Sequence, residues 1–419
     1  MIIRSILDLD LYCLSCSYAV MKNYPEAEGT WKFIDRGGEK FTPEFVQDLK
    51  MEIASLGALK LSQEEYEWCC KKIRYIPMFY WQWLRGFRFN QNYFKINYDE
   101  KTGSLEVEIT GNLVENFLYD VPFLSIMTEL YKKHKGYILN ISDFISNVID
   151  PDIELSNQKE LYFSEFGTRR RFSYALQDAV ISRFKETALY CNGTSNVHLA
   201  MKYDMTPIGT MSHAIRQISN AFFGYRQGEY QANEAWINAF DGDLGIALTD
   251  TISTKVFFKN LSRKHALLMS GYRHDSGSEF EYINIFTKRY KKLGLDPTTK
   301  DLVFSNALTM EKFEEIANAA KGRCRRVSAG IGGHFVNLPE FKPNFVAKMC
   351  RCRITPREQW IETIKLSDDP GKAMGDPKEI YIARLVHGME DWKPEKEEKL
   401  NLVDILRRLE KLEEGNQSC

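Results

Sequence analysis

Three clusters between Phe166 and His213 hold the residue types that chemistry on an anionic, aromatic small molecule needs. Phe166-Gly167-Thr168-Arg169-Arg170-Arg171 places cations behind an apolar run, and Gly193-Thr194-Ser195-Asn196 is a small, hydroxyl-rich turn. Thr206-Pro207-Ile208-Gly209-Thr210-Met211-Ser212-His213 sets an imidazole behind residues of little bulk. Guanidinium groups grip phosphate or carboxylate through two parallel hydrogen bonds, and three of them at a helix start can hardly all be core. For His213 the roles of general base, metal ligand and phosphoryl acceptor all stay open. Farther on, Arg273-His274-Asp275-Ser276-Gly277 joins a cation for phosphate, a carboxylate for ribose hydroxyls or magnesium, and a Ser-Gly turn with free amides. Asp250 ends an apolar strand, where substrate or metal binding and helix capping are equally good readings. Gly330-Ile331-Gly332-Gly333-His334 offers backbone N–H groups to phosphate oxygens. HExxH, GxxxxGK[ST] and GxSxG are absent, which argues against a zinc protease, a P-loop kinase and an α/β-hydrolase.

Positioning these clusters takes more than one core, because 419 residues exceed the span of a single one. Lys and Arg total 56 against 57 Asp and Glu, so bulk charge gives no footing for nucleic acid or a membrane surface, and any anion site must be built locally. No apolar run approaches the length of about 18 residues that a membrane span requires. Nine scattered cysteines fit reduced thiols and a cytoplasmic setting better than a disulfide framework. Cys13-Leu14-Ser15-Cys16 lacks a second ligand pair and reads as two small, partly buried residues on a helix.

The first part mixes helices with an antiparallel hairpin. Thr42-Pro43-Glu44 and Ser62-Gln63-Glu64-Glu65 are helix starts, and Phe94, Ile96, Tyr98 then Leu105, Val107, Ile109 alternate around a turn. A helix from Asn112 to His134 is expected to break near Pro122. From about residue 155 short strands (Leu161–Phe163, Thr187–Tyr190, Leu244–Leu248, Leu302–Phe304, Val327) alternate with helices. One of these helices carries Phe280, Ile283, Phe286, Tyr290 and Leu293 on one face. That rhythm predicts parallel βα units, with the polar clusters just after the strands. The last segment returns to strand-like alternation, a turn at Asp368-Asp369-Pro370-Gly371, a charged connector from Lys393 to Lys399, and an amphipathic helix through Leu402, Ile405, Leu406, Leu409 and Leu412.

Taken in order, these residues resemble the nicotinate phosphoribosyltransferase family over nearly the whole chain. The likeness rests on the three clusters and on Asp8-Leu9-Asp10-Leu11-Tyr12, Gly245–Asp250, Arg273–Gly277, Phe304-Ser305-Asn306 and Lys365–Lys372. It implies the type II phosphoribosyltransferase fold: an irregular α/β barrel (151–344) packed on an N-terminal α/β sandwich domain (1–150) that the C-terminal segment (345–419) completes. It also implies transfer of phosphoribosyl from phosphoribosyl pyrophosphate to nicotinate, coupled to ATP hydrolysis, with magnesium accompanying the phosphate substrates. By that resemblance His213 is phosphorylated by ATP, and Arg273 and Asp275 hold the phosphoribosyl group. Phe166 stacks on the pyridine ring, with Tyr12 of a neighbouring subunit on its other face, hence a homodimer with active sites at the interface. Arg169 meets the carboxylate or a nearby phosphate, the Ser195 hydroxyl donates to the carboxylate, and Asp250 completes the substrate contacts. Arg36, Ser276, Gly277, Asn306, Gly332, Gly333 and Lys372 bind phosphate. The resemblance assigns no metal ligands. Two departures stand out: Asn306 where the family often has Asp, and Cys13 where a Lys is common.

Overall fold

The computed structural model describes residues 1–338, 340–341, 343–369 and 372–389. The strands are β1 (Glu28–Asp35), β2 (Phe94–Asp99), β3 (Ser104–Asn112), β4 (Phe163–Glu165), β5 (Cys191–Thr194), β6 (Ile246–Leu248), β7 (Gly271–His274), β8 (Asp301–Phe304), β9 (Arg326–Ile331), β10 (Phe345–Arg353) and β11 (Ile361–Glu362). They form two sheets. One is antiparallel, in the order β11-β10-β1-β3-β2, and the other is parallel, in the order β5-β4-β9-β8-β7-β6. β10 pairs with β1 from Glu28↔Arg353 to Asp35↔Phe345, so chain from beyond residue 340 is built into the N-terminal sheet beside its central strand.

The two edges of the parallel sheet, β5 and β6, are bridged by irregular chain instead of a strand. Pro207 pairs with Thr194 of β5, and the Thr210 hydroxyl donates to the Ile246 carbonyl of β6 at 3.0 Å. The segment leading into His213 therefore fills the gap in the ring, which is the sense in which the barrel is irregular. Gly193 permits this close approach: its φ is +147°, and a Cβ there would lie 2.0 Å from the Thr206 carbonyl.

Local signals account for many element ends. Thr42 accepts from the Phe45 amide, Ser62 and Glu65 form a reciprocal capping box, and the hairpin β2–β3 falls where alternation places it. Other expectations shift. Thr187 ends a helix (Tyr174–Thr187), and the strand begins only at Cys191, because a strand holding Gly193 gives little apolar signal. β4 starts at Phe163 and continues into Ser164 and Glu165, polar residues buried by hydrogen bonds that periodicity cannot anticipate. Pro122 does not interrupt its helix: it lies in the first turn of Asp120–Lys135, where a missing N–H costs nothing. Phe280 is 48% exposed, since the buried face of its helix runs through Tyr282, Ile283, Phe286 and Tyr290. Cys13 and Cys16 lie fully buried on the helix Leu11–Asn23. The expected charged connector and C-terminal amphipathic helix lie outside the described residues, as do Pro370 and Gly371 of the expected turn.

One of the three consecutive arginines is core after all. Arg171 has no exposed surface; its Nη1 and Nη2 donate to Asp8 at 2.6 and 3.0 Å and its Nε to Glu129 at 2.8 Å. It ties the N-terminal segment and the helix Asp120–Lys135 to the end of β4. Burial opposes the Asp8 charge, but the guanidinium outweighs it and holds the carboxyl below its ordinary value. Removing one member of such a network strands the others, a loss of about 3–5 kcal/mol. Arg171→Met is expected to lower stability by that amount, read from the urea midpoint; an unchanged midpoint would show that the pairing is dispensable.

Candidate active site

A cavity of about 560 Å³ lies between the two sheets. From the parallel sheet come residues at the C-terminal strand ends, where this architecture places its chemistry: Phe166 and Arg169 after β4, Ser195 after β5, Arg273 in β7, Asn306 after β8, Gly332 after β9. From the other side come Arg36 after β1, Lys348 in β10, and Asp10 with Tyr12 at the start of the helix Leu11–Asn23. In the single chain described, Tyr12 and Phe166 both line this cavity.

Charge dominates the lining. Arg36, Arg169, Arg170, Arg273, Lys348, Lys365 and Lys372 face it against only two carboxylates, Asp10 and Asp275, among the described residues. Lys348, Lys365 and Asp10 were missed as site residues. Lys348 interrupts an apolar strand, Phe345-Val346-Ala347-Lys348-Met349, and that break in alternation was the available signal. Burial, then Lys365 and Arg169, press its ammonium down to about 7, the response of a cation crowded among cations.

His213 opens the long helix His213–Phe240, whose first half ends where Gly224 breaks the helical geometry with φ +71°. Its Nε2 lies 3.0 Å from Asp250 Oδ1 and 3.7 Å from Asp275 Oδ2. Burial and the Lys365 ammonium depress the imidazole to about 4 against the pull of Asp250, so the ring is neutral at physiological pH. With Nε2–H donated to Asp250, the lone pair sits on Nδ1. Asp250 itself has no exposed surface and does not line the cavity, so its expected role in touching substrate is corrected: it orients His213. Burial opposes its charge, but the His213 N–H, Lys365 at 3.3 Å and the Ser276 hydroxyl at 2.6 Å keep it ionised, well below the usual carboxylate range.

Ser276 and Gly277, expected to offer free donors to phosphate, also do something else. The Ser276 hydroxyl is spent on Asp250, and the Gly277 amide donates to Asp369 at 2.9 Å. Strand alternation separates Arg273, which faces the cavity, from His274, which is buried against Tyr282 and Phe304. Asp275 lines the cavity and accepts from the Ser305 hydroxyl at 2.6 Å. Asn306 and Lys372 also line it, and Lys372 pairs with Asp369. Gly333 borders open space, whereas Gly330 and Gly332 are small for Phe166: Cβ atoms there would lie 2.4 Å from its ring and 2.8 Å from its carbonyl oxygen. Ser195 lines the cavity, but its hydroxyl donates to Asp10 Oδ1 at 2.6 Å and is not idle.

His213, Asp250 and Asp275 bring ligand atoms within 4.8 Å of one another. As a magnesium cage this trio fits poorly, because Asp250 already serves three donors and Lys365 supplies positive charge. Magnesium that keeps its waters and arrives on substrate phosphates needs one or two carboxylates, and Asp275 can provide one.

Comparison with known proteins settles the family. The nicotinate phosphoribosyltransferase family model matches residues 161–391, and the model of that family's N-terminal domain matches residues 7–128. The chain belongs to the nicotinate phosphoribosyltransferase family. A nicotinate phosphoribosyltransferase of Desulforapulum autotrophicum is 36% identical over 398 residues, covering 92% of this chain and all of its own length. One from Chromohalobacter salexigens is 35% identical over 384 residues, 91% of this chain and 97% of its own. The crystal structure of nicotinate phosphoribosyltransferase from Porphyromonas gingivalis superposes with a TM-score of 0.90 at 39% identity, covering 92% of this chain and all of that one. The two-sheet α/β architecture is thus the family's own.

A neutral His213 has a spectroscopic consequence. In histidine labelled with 13C at C2, its resonance, assigned by its loss in His213→Asn, should stay at the neutral position as pH falls through 6.5 and move only near 4. The sign for stability follows: between those values the unfolded chain takes up a proton that the folded one refuses, so His213 costs stability as pH falls and nothing above about 6.5. Titration near 6.5 would contradict the burial argument.

Proposed function

We propose that this protein transfers the phosphoribosyl group of phosphoribosyl pyrophosphate to nicotinate, releasing pyrophosphate and nicotinate mononucleotide, and that it couples the transfer to ATP through a phosphohistidine at His213. The observation that carries this reading is a single cavity that holds two aromatic rings, seven cationic side chains and a neutral histidine braced by a buried carboxylate.

The chemistry suits that inventory. The pyridine nitrogen has a free lone pair and attacks the anomeric carbon without a general base, while the bond to pyrophosphate breaks and the electron pair leaves with it. The barrier is charge separation as the sugar turns oxocarbenium-like. Positioning and preorganised cations lower it more than acid–base groups would. Phe166 and Tyr12 hold the ring, Arg169 meets its carboxylate, and Arg273 with Asp275 holds the sugar phosphate. Lys348, Lys365 and Arg36 face the leaving pyrophosphate. Magnesium, carried on the phosphates and met by Asp275, would add positive charge to the leaving group.

For ATP, the His213 Nδ1 lone pair attacks the terminal phosphorus and ADP leaves, while Asp250 steadies the ring through Nε2–H. The product adds roughly two negative charges. These arise at the start of a helix that no side chain caps, where free amides and the helix dipole favour an anion. Their later loss as inorganic phosphate completes the coupling. The reaction would place the protein in NAD biosynthesis from the free base, and a reducing cytoplasm is the setting in which the eight described cysteines would stay unpaired.

Pyrophosphate release from phosphoribosyl pyrophosphate is the test, with nicotinate or nicotinamide, each with and without MgATP. Nicotinate should be the better substrate, ATP should accelerate it, and His213→Ala should abolish the acceleration while leaving slow ATP-independent turnover. Turnover with nicotinamide alone would move the substrate. Full ATP stimulation in His213→Ala would remove the phosphohistidine.

A further inference from the structure

Glu165 is a buried carboxyl that the transfer leaves unused, and it directly precedes Phe166. It ends β4, has no exposed surface and does not line the cavity. Among the described residues hydrogen-bond donors surround it, and none of them is a cation. Its Oε1 accepts from the Gly167 amide at 2.5 Å and from Gln177 Nε2 at 3.1 Å. Its Oε2 accepts from the Thr194 hydroxyl at 2.6 Å and again from Gln177 Nε2 at 3.1 Å. Gln177 is itself held, since its Oε1 accepts from Arg171 at 3.3 Å and its Nε2 also reaches the Thr168 hydroxyl at 3.1 Å. A carboxylate is acceptor-only and can serve all of these donors. Burial raises the group to about 7, with Asp10 adding to the rise and the Thr194, Gly167 and Gln177 donors opposing it. The side chain thus folds back over the Phe166 peptide and takes the amide two residues on. Gly167 permits this: a Cβ there would lie 2.7 Å from Glu165 Oε1 and 2.2 Å from Val336 Cγ2. On the main chain, the Glu165 carbonyl accepts from the Ser195 amide and the Phe166 amide donates to the Ile331 carbonyl, both at 2.8 Å. The ends of β5, β4 and β9 are therefore locked together around one aromatic residue that lines the cavity.

We propose that Glu165 is a positioning residue for the base: through the Gly167 amide and the Thr194 hydroxyl it fixes the plane in which Phe166 presents its ring. It acts without touching substrate. This inference rests on the transferase reading above, in which Phe166 holds the pyridine. Aromatic rings attract in a narrow set of offsets and tilts, so a ring that shifts loses its partner. The plane of Phe166 in turn sets where the pyridine nitrogen stands against the anomeric carbon, and a misplacement of about 1 Å costs up to about 100-fold. The phosphate half of the cavity draws on other elements: Arg36 follows β1, Arg273 lies in β7 and Lys348 in β10. His213 is braced by Asp250 after β6 and shares none of the hydrogen bonds of Glu165. Loss of Glu165 should therefore be felt by the base and not by the phosphates or by ATP.

The experiment is steady-state kinetics of Glu165→Gln at about pH 8, where the native carboxyl is ionised. Glutamine keeps the shape but has one oxygen, so part of the donor set meets an N–H2 group instead of an acceptor. The KM for nicotinate should rise about tenfold, while the KM for phosphoribosyl pyrophosphate and the stimulation by ATP stay as they were. Thr194→Val, which removes a single donor, should raise the KM for nicotinate by less. A merely structural role would leave fewer folded chains, lowering kcat with the KM for nicotinate unmoved, and that result overturns the proposal. So does an equal rise in KM for both substrates. If Glu165→Gln does not fold, Thr194→Val decides alone, and an unchanged KM for nicotinate overturns the positioning role. The unaltered protein keeps the two questions apart: no turnover with nicotinate overturns the transferase reading itself, whereas normal turnover with either contrary result in the variants overturns only the role of Glu165.

Discussion

The site depends on a carboxylate that never touches the cavity. Asp250 is wholly buried at the end of β6, and an ionised group there persists only if its partners pay the desolvation cost. They come from three distant parts of the chain: His213 at the start of the long helix, Ser276 after β7, and Lys365 from the segment that follows the antiparallel strands. One buried charge thus fixes the imidazole's tautomer, the loop after β7 and the return of the C-terminal chain. Local packing alone would not bring those three segments together.

The cavity reverses that logic. Seven cationic side chains around two carboxylates is an arrangement that proteins avoid unless an anion completes it. Burial first, and then the neighbouring Lys365 and Arg169, press the Lys348 ammonium down to about 7. A ligand rich in phosphate relieves this repulsion most where its charge grows, which is the leaving pyrophosphate. The acid-rich corner around Asp10 and Asp120 sits beside the aromatic pair, so one cavity offers opposite electrostatic environments to the base and to the phosphates.

Most of the site's inventory was legible in the sequence, because glycine-flanked arginines, a histidine after a small-residue run and an Arg-His-Asp-Ser-Gly stretch have few alternative uses together. What was not legible was orientation. Arg169 and Arg171 are two residues apart, yet one faces the cavity and the other is sealed beneath it, a distinction set by Asp8 and Glu129 from remote segments. Ser276 and Gly277 read as free donors because their acceptors, Asp250 and Asp369, lie 26 and 92 residues away. β4 and β5 were placed imprecisely for a related reason, since their buried Ser164, Glu165, Gly193 and Thr194 are held by hydrogen bonds and close backbone contact instead of an apolar stripe. Lys348 was passed over because a lysine in a strand is ordinarily a solvated edge, and Lys365 because it lies outside any strand, in an isolated bridge to Met374.

The central claim is that a neutral, Asp250-braced His213 accepts a phosphoryl group. Incubating the protein with ATP labelled at the terminal phosphate, with no base and no phosphoribosyl pyrophosphate, tests it most directly. The account predicts label on one histidine per chain, stable in alkali, lost in acid, mapping to the peptide of His213 and absent from His213→Ala. Label that survives in His213→Ala, or none in the unaltered protein, would contradict it.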